Sequence, residues 1–146
     1  MSNTSPPETV SITVPSHSKY LGLIRKVMQQ VSQDGGFSED DGRKLILAVD
    51  EACSNVIKYS YEHDPTQTIV LRLTDSDDKL EIQIQDFGKC PDLESIKPRD
   101  LNEVKPGGLG THFIRSIMDV VNYDTTHEVG CVLQMIKYKA PRAQKR

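Results

Sequence analysis

The stretch from residue 45 to 58 most constrains the fold, because its pattern is that of a helix that is apolar on most of its surface. At roughly 100° per residue, Glu51 and Asn55 lie one turn apart in a narrow polar stripe. The other polar members of the stripe are Lys44, Ser54 and Lys58, and the apolar remainder is Leu45, Ala48, Val49, Ala52, Cys53, Val56 and Ile57. We expect such a helix to be buried, so its polar stripe should line a cleft and not bulk water.

Glu51 and Asn55 bring complementary chemistry to such a cleft. A carboxylate is a proton acceptor, and an amide oxygen is a neutral ligand suited to a hard cation such as Mg²⁺. The same pattern also fits an ordinary amphipathic helix with Glu51 in solvent, since Glu and Asn seldom bury unpaired. The helix alone leaves both interpretations open.

Two more motifs follow along the chain. Residues 80–84 alternate apolar and polar side chains before Asp86-x-Gly88, which predicts a strand that ends in an acidic loop. Residues 106–110, Pro-Gly-Gly-Leu-Gly, then open into a helical pattern at 111–118. A glycine-rich turn before a helix is often a plain connection, but it also exposes backbone N–H groups and a helix dipole that favour an anion.

In this order, the three motifs resemble a known nucleotide site. Glu-x-x-x-Asn on a helix, Asp-x-Gly after a strand and Gly-x-Gly at a helix start are similar to the histidine-kinase-like ATPase superfamily, which includes the ATPase domain of gyrase. Within it, the chain resembles the small serine kinases of the RsbW and SpoIIAB type, which act as anti-sigma factors. The resemblance extends from about residue 10 to 138 and is strongest at 47–61 and 108–119.

The resemblance implies a role for each polar residue of the motifs. Asn55 would hold the Mg²⁺ that bridges the phosphates of ATP, and Glu51 would be the general base for an attacking serine or threonine hydroxyl. Asp86 would accept a hydrogen bond from the exocyclic amine of adenine, and Gly88 would leave room for the adenine ring. Two side chains one turn apart can address adjacent points of a triphosphate, which supports this division of roles.

The glycine-rich turn receives its roles from the same resemblance. Gly108, Leu109, Gly110 and Thr111 fall on the second nucleotide loop, where backbone N–H groups face the phosphates and Leu109 packs inward. Arg25, on the first predicted helix, would lie near the nucleotide edge and the partner surface. It could contact the γ-phosphate or an acidic partner loop, or it could be an ordinary surface arginine.

The function that the resemblance favours is an ATP-dependent protein-serine kinase that is also an anti-sigma factor. It would phosphorylate a STAS-type antagonist, sequester a sigma factor when that antagonist is unavailable, and work as a homodimer. One alternative is a kinase of a switch or stressosome pathway that phosphorylates a STAS partner and binds no sigma factor. The other is a non-catalytic nucleotide-sensing module, which would have no need of the base Glu51.

Length and charge limit these possibilities. The chain has 146 residues, which predicts one domain at 9–139 between a disordered start at 1–8 and a basic tail at 140–146. A net charge of −3 without a basic cluster outside that tail argues against a nucleic-acid interface. The sequence has no long apolar run for a membrane span and no signal-peptide pattern. We therefore expect a soluble, cytoplasmic protein.

The chain has three cysteines, Cys53, Cys90 and Cys131. They are odd in number and have no metal-ligand spacing, so they are expected to be reduced thiols. Cys90 lies close to the expected nucleotide loop, where it could be reactive or a passive loop residue.

The remaining periodicities predict the layers of the fold. A strand at 9–15 precedes a helix that Ser16 could cap, and Ser38 could cap the second helix. Two hairpins follow, at 68–74 with 79–85 and at 120–126 with 132–138. Helices beside strands that pair as hairpins predict a two-layer α/β sandwich with a mixed, mostly antiparallel sheet.

A segment with three prolines and many charges separates the acidic loop from the glycine-rich turn. Its prolines, at 91, 98 and 106, exclude a long helix between residues 89 and 107. We expect either a lid over bound nucleotide or an irregular loop.

Overall fold

The computed structural model describes residues 6–88, 108–126 and 130–140. The predicted lid at 89–107 and both chain ends, including the basic tail, lie outside these residues. The elements in chain order are β1 (Glu8–Pro15), a 3-10 turn (Ser18–Tyr20), α1 (Leu21–Asp34), α2 (Glu39–Asn55), a π-helical turn (Val56–Ser60), β2 (Thr68–Asp75), β3 (Lys79–Asp86), α3 (Gly108–Ile117), β4 (Val120–Asp124) and β5 (Cys131–Tyr138).

The strands form a five-stranded sheet in the order β1-β2-β3-β5-β4, and every described pairing is antiparallel. Two helices separate β1 from β2 in the chain, yet the two strands are neighbours. β5 lies between β3 and β4, so that Asp86 at the end of β3 pairs with Cys131 at the start of β5. This pairing places the acidic loop beside the second hairpin.

The core lies between one face of the sheet and the helices. Alternate side chains of β3, such as Ile82 and Ile84, are fully buried against the same cluster as Leu45 and Val49 of α2. Each such side chain stabilises the fold by roughly 1.5–3 kcal/mol through apolar burial. α2 lies between α1 and α3 in the helical layer and packs against both. The predicted two-layer α/β sandwich is confirmed.

The helix starts agree with prediction at α2 and differ at α1. Ser38 caps α2, since its hydroxyl oxygen accepts a hydrogen bond from the Asp41 N–H at 3.1 Å. Ser16 does not cap α1, because a 3-10 turn intervenes and His17 Nδ1 accepts from the Lys19 N–H instead. Ser16 is 1% exposed, and its hydroxyl has no hydrogen-bond partner in the described part of the chain.

Two further boundaries differ from the sequence pattern. The predicted helix over 45–58 ends as an α-helix at Asn55 and widens into the π-helical turn, where the Tyr61 N–H bonds the Val56 carbonyl at 2.9 Å. α3 begins at Gly108, before the predicted start at Thr111. Among the described helices, none combines the length and apolar character that a membrane span requires.

Candidate active site

Glu51 and Asn55 lie in the last two turns of α2. The sequence pattern predicted a buried helix, but this helix is not buried all round, because Leu47 one turn earlier is exposed. Both side chains are half-buried, whereas Ala52 and Cys53 beside them are buried completely or nearly so. Within the described residues, neither the Glu51 side chain nor the Asn55 side chain has a hydrogen-bond or ion-pair partner. Because both side chains are half-buried and reach solvent, they are open to a ligand.

Asp86 is the buried carboxylate of the acidic loop, at 3% exposure. Its Oδ1 accepts a hydrogen bond from the Gly88 N–H at 3.0 Å, and its Oδ2 accepts a weaker one from the Cys131 thiol at 3.7 Å. Burial raises the pKa of Asp86, and these two hydrogen bonds oppose the rise. An ionised carboxylate can accept further hydrogen bonds, so Asp86 keeps acceptor capacity for a donor on a ligand.

Two glycines pack so closely around Asp86 and its neighbours that no larger residue fits in their place. A Cβ on Gly88 would lie 2.5 Å from the Ser60 carbonyl oxygen and 2.7 Å from the Tyr61 ring. Gly130 has φ +78°, and a Cβ there would collide with the Asp86 carbonyl oxygen. The segment 86–88, which we call the acidic corner, therefore lies in close contact with the end of the α2 segment and the start of β5, while Phe87 within it is exposed.

The glycine-rich motif lies at the beginning of α3, which packs against α2. Gly108, Leu109, Gly110 and Thr111 form its first turn and do not precede the helix as a separate loop. The N–H groups of a first turn have no partners within their own helix. Together with the helix dipole, these N–H groups favour an anion. The predicted phosphate contact is therefore compatible with a motif that lies inside the helix.

Arg25 lies on α1 and is joined to α2 by an ion pair. Its guanidinium is 2.6 Å from Asp50 Oδ1, and the two side chains are 47% and 31% exposed. An exposed pair of this kind contributes at most about 1 kcal/mol to stability. The pair places Arg25 beside the residue that precedes Glu51.

A cavity of about 410 Å³ opens on another flank of α2. Ser16, His17, Ser54, Lys58 and His63 are among its lining residues, and none of the predicted site residues is. The polar stripe of α2 is therefore divided, because Ser54 and Lys58 line this cavity and Glu51 and Asn55 do not.

The structure adds three residues that the motifs did not reveal. Tyr61 and Gly130 pack against the acidic corner, and the thiol of Cys131 contacts Asp86. Gly130 could have been noticed from its place before a predicted strand. The other two depend on pairings between distant segments and leave no local pattern.

One family model and several known proteins match most of this chain. A family model described as "Histidine kinase-like ATPase domain" matches residues 14–137. A protein named serine-protein kinase RsbW from Halalkalibacterium halodurans is 33% identical over 140 residues, which cover 90% of this chain and 84% of that protein. The proteins of the same name from Bacillus cereus strain B4264 and Bacillus subtilis strain 168 are 32% and 29% identical, and this chain covers 85% and 84% of them.

These matches extend over the two layers of the fold and over α2, the acidic corner and α3 together. The family predicted from the order of the motifs is confirmed. The chain belongs to the histidine kinase-like ATPase family and, within it, to the family of the serine-protein kinases RsbW.

Proposed function

We propose that this chain transfers the γ-phosphoryl group of ATP to a serine or threonine of a separate STAS-type protein, and that it sequesters a sigma factor when that protein is unavailable. The observation that carries the proposal is the pair Glu51 and Asn55. They are half-buried, one turn apart and without partners in the described residues. Such a pair offers a proton acceptor and an amide oxygen to one bound ligand.

The nucleotide would extend from the acidic corner to the start of α3. Asp86 would accept the hydrogen bond of the adenine amine, and the N–H groups of the first turn, at Gly108 and Gly110, would bind phosphate oxygens. No group of three or more His, Cys, Asp or Glu side chains in the described residues could hold a metal ion without help. Mg²⁺ usually combines one or two protein ligands with phosphates and waters, so the single amide oxygen of Asn55 fits this ion.

Phosphoryl transfer then needs a base and little other covalent chemistry from the protein. Bound Mg²⁺ would neutralise charge that develops on the phosphates. Glu51 would accept the proton of the attacking serine or threonine hydroxyl, and the oxygen of that hydroxyl would bond to the γ-phosphorus. The bond from that phosphorus to the β–γ bridging oxygen breaks, and ADP leaves.

The partners and the assembly rest on the family. The relatives are named serine-protein kinases, which supports a protein serine as the acceptor. The STAS partner, the sigma factor, the homodimer and the cytoplasmic location follow from the resemblance to anti-sigma kinases. Light scattering of the purified chain measures the homodimer, and pull-down against the sigma factors and STAS proteins of the source organism identifies the partners. A STAS protein phosphorylated without sigma binding would favour the switch-type kinase.

The catalytic test is Glu51→Gln, with Glu39→Gln as its matched control. Glu39 is an exposed glutamate at the opposite end of the same helix. Glu51→Gln should keep ATP and partner binding and lose phosphotransfer by roughly two to four orders of magnitude, the usual contribution of a positioned base. Glu39→Gln should keep both. Near-normal phosphorylation of the STAS protein by Glu51→Gln would remove the base from the mechanism.

A further inference from the structure

Tyr61 joins three separate segments of the chain through one hydroxyl group. The side chain is 6% exposed and follows the π-helical turn directly. Its hydroxyl donates a hydrogen bond to the Thr68 carbonyl at 2.7 Å and accepts one from the Phe87 N–H at 2.6 Å. The end of the α2 segment is thereby bonded to the start of β2 and to the acidic corner.

The ring of Tyr61 supports the same corner by packing. A Cβ on Gly88 would lie 2.7 and 2.8 Å from two carbons of this ring, so the backbone of Gly88 lies directly against it. The Gly88 N–H in turn donates to Asp86. One side chain thus holds Phe87 by a hydrogen bond and Gly88 by contact, and Gly88 holds the carboxylate.

The π-helical turn explains how Tyr61 reaches this position. The turn has a wider spacing than an α-helix, because the Tyr61 N–H bonds Val56 and the His63 N–H bonds Ile57. Such a widening shifts the side chains that follow it around the helix axis, and it occurs often at functional sites. Here it begins directly after Asn55, so it connects the helix of Glu51 and Asn55 to the corner of Asp86.

We propose that Tyr61 is a positioning residue. It holds the acidic corner in the geometry in which Asp86 binds adenine, and it connects this corner to α2, the helix that carries Glu51. This inference rests on the proposed nucleotide site. Tyr61 acts through Phe87 and Gly88. A purely structural tyrosine would change stability, but it would not change the preference for one purine over another.

The test compares Tyr61→Phe with Tyr59→Phe, which removes a hydroxyl from an exposed tyrosine in the same turn. Calorimetry gives the affinities for ATP and for inosine triphosphate, which lacks the exocyclic amine. Tyr61→Phe removes both hydrogen bonds of this hydroxyl. The displaced Asp86 should then lose its bond to the adenine amine, which should lower ATP affinity about tenfold. It should lower inosine triphosphate affinity much less, and it should raise KM for ATP while kcat at saturating ATP stays within about twofold.

Amide hydrogen exchange supplies a readout without nucleotide or activity. The Phe87 amide should exchange about tenfold faster in Tyr61→Phe than in the parent and Tyr59→Phe. In the parent, ATP should protect this amide more than inosine triphosphate does, since coupling between the corner and the amine site is reciprocal. The comparison of the two nucleotides uses only the parent protein, so it can be made even if Tyr61→Phe does not fold.

The outcomes separate this inference from the proposed function. An unchanged ratio of the two affinities in folded Tyr61→Phe, or equal protection of the Phe87 amide by the two nucleotides, overturns the role of Tyr61 while ATP binding stands. A parent protein that binds neither nucleotide overturns the proposed function and this inference with it.

Discussion

Replacing Asp86 by Asn should convert the adenine acceptor into a donor without disturbing the fold. The Gly88 N–H lies 3.0 Å from Asp86 Oδ1, so the amide oxygen of Asn should keep that position. The amide nitrogen must then take the place of Oδ2, beside the Cys131 thiol. An N–H would face the purine amine where an acceptor is needed, and the hydrogen bond would be lost.

The expected size follows from the kind of bond removed. A hydrogen bond to a charged group contributes about 1.5–3 kcal/mol, and each 1.4 kcal/mol changes affinity about tenfold. ATP affinity should therefore fall about 10- to 100-fold in Asp86→Asn, whereas affinity for inosine triphosphate, whose C6 carbonyl can accept from the new N–H, should not fall. Isothermal titration calorimetry with both nucleotides measures the two values. Equal losses for both would refute the assignment of Asp86 to the amine.

Stability provides the control for this substitution. Burial raises the pKa of Asp86 above its ordinary 3.8, so the folded state holds this proton more tightly than the unfolded state does. The associated stability is fully present below pH 3.8 and is lost as the pH rises through the raised pKa. Asn does not ionise, so Asp86→Asn should unfold in urea at neutral pH no earlier than the parent.

Three further predictions follow from the same geometry. Asn55→Ala should weaken ATP binding and abolish its dependence on Mg²⁺, and an unchanged Mg²⁺ dependence in calorimetry would contradict the metal assignment. Affinity for ATP should fall as the pH is lowered through the raised pKa of Asp86, because the protonated acid loses acceptor capacity; a titration that is flat down to pH 3.8 would count against it. Burial raises the pKa of Cys53 to about 12, so iodoacetamide should label this thiol only after denaturation, as read by mass spectrometry of the Cys53 peptide.

The features that could be predicted from the sequence are those that depend on the short-range repeat of apolar and polar residues. The polar stripe placed Glu51 and Asn55 on one face of a helix, and alternation along β3 led directly to Asp86. Such patterns are local, because a helix or strand turns each side chain by a fixed angle from its neighbour. The two hairpins were recovered for the same reason.

Features that depend on contacts between distant segments were not predicted. Ser16 had the right chemistry to cap α1, but its backbone N–H bonds the Gln67 carbonyl of a distant segment and a 3-10 turn capped by His17 separates it from the helix. No motif singled out Tyr61, yet its hydroxyl bonds Phe87, 26 positions further along the chain. Gly130 owes its requirement to the Asp86 carbonyl of another strand. The place of Gly130 before a predicted strand marks it as a turn residue, but the partners of all three residues are known only from the folded chain.

The most direct test of the account follows the fate of the γ-phosphate. The chain, labelled ATP and Mg²⁺ are incubated with the candidate STAS protein, using the parent and Glu51→Gln side by side. The parent should transfer label to serine or threonine of the STAS protein as an acid-stable phosphoester, and this chain should stay unlabelled. Glu51→Gln should transfer almost none. Acid-labile label on a histidine of this chain, or free phosphate released by the parent at full rate with no partner modified, would contradict the account.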